Sequence, residues 1–247
     1  MYFDFIKEKS DIARNARLKT YPDGSAELLI CDRPIFGMDG WEDVREREKV
    51  KRTRGNACAP ERAQRRARSQ LRDYALCTKF DYFVTLTLDK SKIDRYSIDV
   101  IIKRLRVWLD NRVRRAGLVY VLVPEKHKDG AIHFHGFFNS ALDVTESGHY
   151  DKAGHIIYNI PAWGFGFSTA IKLYGDYNKA VSYVCKYIGK STEKIGGRWY
   201  YSGGALRSPE VEYLDADFAE YYADGATRFS VKEAGLSFVL LKKVKDE

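Results

Sequence analysis

Ala131-Ile-His-Phe-His-Gly-Phe-Phe138 decides how this chain is read. Strand alternation puts His133 and His135 on one face and Ile132, Phe134 and Phe138 on the other, so the segment predicts a strand with an apolar side and a chemical side. Upstream, Lys128-Asp129-Gly130 connects it to a second apolar run, Leu118–Glu125. A two-residue turn at Asp129-Gly130 would pair Lys126 with His133 and turn Glu125 to the wrong face. A three-residue loop with Gly130 in the left-handed conformation pairs Glu125 with His133 instead, and glycine is what that bulged turn prefers at its third position. Glu125, His133 and His135 are therefore the expected metal ligands, with His127 the rival third ligand. His149 and His155 fall in a Gly- and Tyr-rich excursion over 140–165 and are expected to be structural or exposed. Two imidazoles and a carboxylate suit a catalytic cation that polarises a phosphate oxygen. The expected cofactor is a divalent metal, Mg2+ or Mn2+; imidazole also tolerates zinc, and magnesium prefers oxygen ligands.

About fifty residues later the pattern becomes helical. Over Asp176–Lys190, Val181, Val184, Cys185 and Ile188 form an apolar stripe, with Gly189 near the end. Lys179, Tyr183, Lys186, Tyr187 and Lys190 lie roughly opposite, so the two tyrosines are expected outside the core. They stand one turn apart, about 6 Å along the axis, and each is followed at the third position by a lysine. A phenol, with a pKa of about 10, is a weak nucleophile at neutral pH. Lys186 and Lys190, together with a metal-bound phosphate, would favour the phenolate and a pentacovalent transition state. Tyr183 and Tyr187 are thus the candidate nucleophiles for a phosphodiester.

Elsewhere the chain reads as a hairpin (Arg17–Tyr21 and Ala26–Cys31 around Pro22-Asp23-Gly24), a helix over Glu61–Leu76, a strand over Tyr82–Leu88 and a helix over Ser97–Arg115. Phe167–Leu173 and Trp199–Tyr201 read as strands, Asp215–Tyr222 as helical and Ser230–Lys242 as strand. The fold class expected is α+β: a central antiparallel sheet of about five strands with helices on one face. The domains expected are an N-terminal hairpin and basic segment over 1–59, a core over 60–205 and an extension over 206–247 packed on that core.

The 247 residues carry a net charge of +8. Residues 45–72 hold eleven Lys/Arg against three Glu, a surplus equal to the whole net charge. Arg62, Arg65, Arg66, Arg68 and Arg72 on the predicted helix are candidate phosphate contacts. Thr85 and Thr87 share the expected chemical face of the sheet and join the candidate DNA-binding residues; Tyr200 or Tyr201 is a candidate for base stacking. Four scattered cysteines make no disulfide framework or zinc ribbon. No signal peptide, membrane-length run or G-x-x-x-x-G-K-[ST] element is present, so a cytoplasmic protein without its own helicase is expected.

Three elements in order resemble the HUH endonuclease superfamily, specifically rolling-circle replication initiators of phage and plasmid type. These are Phe83-Val-Thr-Leu-Thr-Leu88, His133-Phe134-His135, and the repeated Tyr-x-x-Lys at Tyr183–Lys186 and Tyr187–Lys190. The double tyrosine is similar to the two-tyrosine initiators of isometric single-stranded DNA phages. The resemblance covers roughly residues 60–205. It implies a five-stranded sheet with an RNA-recognition-motif-like (ferredoxin-like) core and cleavage of single-stranded origin DNA through a 5′-phosphotyrosine link. It also implies a 3′-OH that primes synthesis, a separate host helicase as partner, and action in the cytoplasm of a bacterial host. Oligomeric state is left open. A transposase or mobilisation relaxase would share this chemistry. A non-catalytic nucleic-acid-binding module, or a zinc hydrolase using an activated water, would not need the tyrosines.

Overall fold

The chain is described by a computed structural model over residues 13–36, 59–190, 193–219, 227–231 and 235–243. In chain order its elements begin with β1 (Ala16–Thr20), β2 (Ala26–Cys31), α1 (Ala59–Cys77), β3 (Tyr82–Thr87), α2 (Ile98–Ala116), β4 (Tyr120–Lys126) and β5 (Ile132–Phe138). They continue with β6 (Thr145–Tyr150), β7 (Ile156–Asn159), β8 (Ser168–Lys172), α3 (Tyr177–Lys190), β9 (Tyr201–Gly203), β10 (Glu210–Leu214), β11 (Thr227–Val231) and β12 (Leu236–Lys243). They divide into two units, residues 57–208 and residues 1–56 with 209–247.

The larger unit is built on a seven-stranded antiparallel sheet in the order β6-β7-β8-β3-β5-β4-β9. Alternation gives this sheet two apolar faces. Val84, Leu86, Leu122, Phe134 and Phe138 pack against Ile101, Leu105, Trp108 and Leu109, the apolar stripe of α2. On the other face, Val119, Val121, Val123 and Phe137 meet Leu71 and Ala75 of α1 and Val181, Val184, Cys185 and Ile188 of α3. The expected α+β class and antiparallel sheet are present. Helices on one face and about five strands are corrected to helices on both faces and seven strands. The physical reason lies in β4 and β5, which carry fully buried side chains on alternate faces and so need cover on both sides.

The excursion over 140–165 is not simply a loop: β6 and β7 form a hairpin that widens the sheet. Gly136 lets β5 lie close to its neighbour, since a Cβ there would sit 1.9 Å from the Val121 carbonyl oxygen.

In the second unit the hairpin of β1 and β2 is extended by strands from the far end of the chain, in the order β10-β1-β2-β12-β11. Residues 206–247, read from sequence as an extension, supply three strands to this sheet. Ser230–Lys242, read as one strand, falls in the β11–β12 hairpin. Asp215–Ala219 is not helical, and 220–222 lie outside the described residues, as does the basic stretch 45–58. Cys31, Cys77 and Cys185 are buried free thiols. Among the described residues no helix is long and apolar enough to cross a membrane.

Candidate active site

The site begins with the turn between β4 and β5. Gly130 has φ +87°, its N–H donates to the His127 carbonyl, and the His127 N–H donates to the Ala131 carbonyl. This is the three-residue loop expected from Gly130, and it sets Glu125 opposite His133. Thr87 and Thr85 on β3 lie opposite His133 and His135 on the other side of β5. Their hydroxyls reach the ring nitrogens: Thr85 Oγ1 is 3.1 Å from His135 Nδ1, and Thr87 Oγ1 is 3.4 Å from His133 Nδ1. The threonines therefore orient the imidazoles. A hydroxyl can donate or accept, so either ring tautomer can be held.

Across the strand pair, Glu125 Oε2 is 3.1 Å from His135 Nε2, a charge-assisted contact, and Lys190 Nζ is 3.7 Å from Glu125 Oε1. The rings of His133 and His135 lie parallel, 6.5 Å apart. Burial lowers the pKa of His135 against the raising effect of Glu125; burial, then His127, lowers that of His133. Both imidazoles are thereby held in the neutral form that a metal requires. His127 stacks on His133 at 5.1 Å but is tied to Asp129, Nδ1 to Oδ1 3.4 Å. His155 is bound to Asp151 and stacked on Tyr174, and His149 is exposed on β6.

Among the described residues, no three His, Cys, Asp or Glu side chains already converge as ligands. His135 and Glu125 converge as a pair, with His133 beside them on the same face. With both Nδ1 atoms occupied by threonine hydroxyls, Nε2 is the nitrogen each ring offers to a cation. The donor chemistry fits a divalent metal held by His133, His135 and Glu125.

α3 lies over this same face. Its first turn is capped by Asp176, whose Oδ1 accepts from the Lys179 N–H. Tyr187 is 6% exposed and stacks on His135 with ring centroids 4.3 Å apart. The expectation that both tyrosines stand outside the buried stripe is corrected for Tyr187. It lies one position from Ile188 and three from Val184, at the edge of the stripe, and the sheet face reaches it. Tyr183 remains 49% exposed with its ring edge-on to Phe83. The Tyr187 hydroxyl donates to the Tyr183 oxygen at 2.7 Å. Burial, then the hydrogen bond and charge of Tyr183, then Glu125, raise the Tyr187 pKa. Lys190 Nζ stands 4.8 Å from the centre of the Tyr187 ring, while Lys186 is exposed to solvent.

α1 packs on α3 through Leu71 and Ala75, and the Gln64 side-chain amide donates to the Ile188 carbonyl at 2.6 Å. Arg62, Arg65, Arg66 and Arg68 lie on this helix, and Arg72 is half-buried. Arg65, Arg66 and Arg68 are exposed. Tyr201 is buried with its hydroxyl on the Ile195 carbonyl, and Tyr200 packs on the cluster beneath α1 and α3. Neither is the exposed stacking surface expected from sequence. The exposed aromatic on the site's face is Phe167, which periodicity marks only as the start of a strand.

The segment that assembles these residues has a counterpart among known proteins. Residues 81–192, a little under half of the chain, match the family model of replication-associated proteins of the ORF2 and gene II protein type. No curated protein and no solved structure gives a significant match. The matched stretch begins one residue before β3 and ends two residues past α3. It therefore contains the threonines, the imidazoles, Glu125 and both tyrosines, and it supports a role for this chain in initiating DNA replication.

Proposed function

We propose that this protein is a metal-dependent, site-specific single-stranded DNA endonuclease and strand transferase that starts rolling-circle replication through a 5′-phosphotyrosine intermediate. The observation that carries the reading is the stacking of Tyr187 on His135 at 4.3 Å, beside the contact of His135 with Glu125. Nucleophile candidate and ligand candidates share one face, close enough to reach a single phosphate.

His133, His135 and Glu125 would hold the divalent ion, Mg2+ or Mn2+, which when bound polarises a non-bridging phosphate oxygen. A tyrosine oxygen attacks phosphorus, the bond to the 3′ oxygen breaks, and that oxygen leaves as a 3′-OH after taking a proton. The 5′ phosphate stays on the tyrosine. As Tyr187 attacks, its proton already lies on the Tyr183 oxygen, while the Lys190 ammonium offsets negative charge on the phenol and the phosphate. One phosphodiester is exchanged for another, so the 3′-OH of a strand end can reverse the step and rejoin DNA. With Tyr187 esterified, Tyr183 remains as a second nucleophile at the same place. The arginines of α1 track the backbone phosphates, a separate helicase supplies unwinding, and the reaction takes place in the cytoplasm.

The test is incubation with a labelled, randomised single-stranded oligonucleotide library and Mn2+, followed by a search for an SDS-resistant protein–DNA adduct. Wild type and at least one of Tyr183→Phe and Tyr187→Phe should form it; the double variant and any reaction in EDTA should not. No adduct from wild type would sink the proposal. Cleavage that survives loss of both tyrosines would mark a water-using hydrolase.

A further inference from the structure

Phe167 stands where β8 meets the site. Thr85 pairs with Thr169 and Leu86 with Ser168, and the Thr87 N–H donates to the Phe167 carbonyl at 2.8 Å. Alternation then places Phe167 and Thr169 on the face of Thr87 and His133. Ser168 points the other way, where its Oγ accepts from the Ile160 N–H. One row across the sheet therefore reads Phe167, Thr87, His133, Glu125. Along β8 the cover from the helices gives out: Leu173 packs against the cluster under α1 and α3, Ile171 is half-buried, Thr169 is exposed, and Phe167 is 71% exposed.

An exposed aromatic alone says little. This one is held rigidly. The Asp89 N–H donates to the Phe165 carbonyl at 2.9 Å, and Trp163 Nε1 donates to the Thr87 carbonyl at 3.0 Å. Gly166 sits so close to β3 that a Cβ there would come within 2.1 Å of the Thr87 oxygen. A large apolar ring is thus fixed in water two strands from His133, about 10 Å at ordinary strand spacing. That is the reach of one or two nucleotides from a phosphate at the imidazoles.

We infer that Phe167 is a stacking platform for a base of the single-stranded DNA next to the scissile phosphate. The inference rests on the nickase reading for its ligand, but its readout is base binding without cleavage. Fluorescence anisotropy in EDTA would compare an oligothymidylate about twenty nucleotides long with an equally long strand of tetrahydrofuran abasic nucleotides, which keeps the phosphates and removes the bases. Phe167→Ala should weaken oligothymidylate binding roughly tenfold and leave the abasic strand unchanged. Phe167→Trp should bind oligothymidylate within about twofold of wild type, and Phe167→Leu should behave like the alanine variant. Thermal melts of all three should superimpose on wild type, because the ring is in solvent. An equal loss on both strands, no loss on either, or no oligothymidylate binding by wild type overturns the inference. The adduct assay with Mn2+ on the same preparations separates the two ideas. An adduct formed while Phe167→Ala leaves oligothymidylate affinity intact removes the platform and keeps the nickase. Base-dependent binding through Phe167 with no wild-type adduct does the reverse.

Discussion

Tyr187 is at once a buried ring and a candidate nucleophile, and the two roles oppose each other. Burial disfavours the phenolate, so reactivity depends on positive charge brought to the ring, and Lys190 is the side chain placed to bring it. Lys190→Ala is expected to slow adduct formation by about tenfold to a hundredfold, with Lys190→Arg recovering part of the rate, measured as single-turnover kinetics with Mn2+. Thr85 acts one step further out, through the His135 ring. Thr85→Val should weaken Mn2+ binding about tenfold or more, read by titration calorimetry, with the fold intact by circular dichroism. The histidine pair, Glu125 and the threonines are all readable from alternation because a strand has only two faces. Tyr187 escapes such a reading because a helix offers a continuum: a residue at the border of the apolar stripe is buried or exposed according to what packs there.

At the scale of elements, one device recurs. Tyr21–Ser25, His127–Ala131 and Asp151–His155 are closed by the same pair of backbone hydrogen bonds, with Gly24, Gly130 and Gly154 at φ +81°, +87° and +83°. The glycine rule that sets the register of β4 against β5 also describes the β6–β7 hairpin, whose turn, Asp151-Lys-Ala-Gly154, lies hidden in sequence within the 140–165 excursion. The reason is that β6 and β7 are short and little buried, so they carry almost no apolar alternation. Gly136 is a different case, with a φ that any residue adopts but no room for a side chain. Gly136→Ala should cost about 3 kcal/mol, seen as a lower urea midpoint, because the clash is with backbone of the central strands and not with a side chain that can turn away.

For the whole molecule, the larger unit's stability carries a signature in its tyrosines. Burial pushes Tyr120, Tyr177 and Tyr200 up to about 12, against an ordinary value of about 10. Above about pH 10 the unfolded chain releases protons that the folded chain keeps. The stability from these groups is complete below about pH 10 and is lost as pH rises towards about 12. Ultraviolet absorbance of the phenolate should show part of the phenol titration delayed until the circular dichroism signal collapses. A single transition for all tyrosines near their ordinary pKa in folded protein would contradict this. By itself the sequence determined the α+β class, the strand that bears the imidazoles, its register with Glu125, and the helix that bears the tyrosines, since each follows from local periodicity and one glycine turn. Only the tertiary structure decided that α1 and α3 share the imidazole face while α2 takes the other, that Tyr187 lies on His135, and that the two ends of the chain build one sheet. Those outcomes depend on which apolar surfaces find each other across long separations, and no local pattern records that choice.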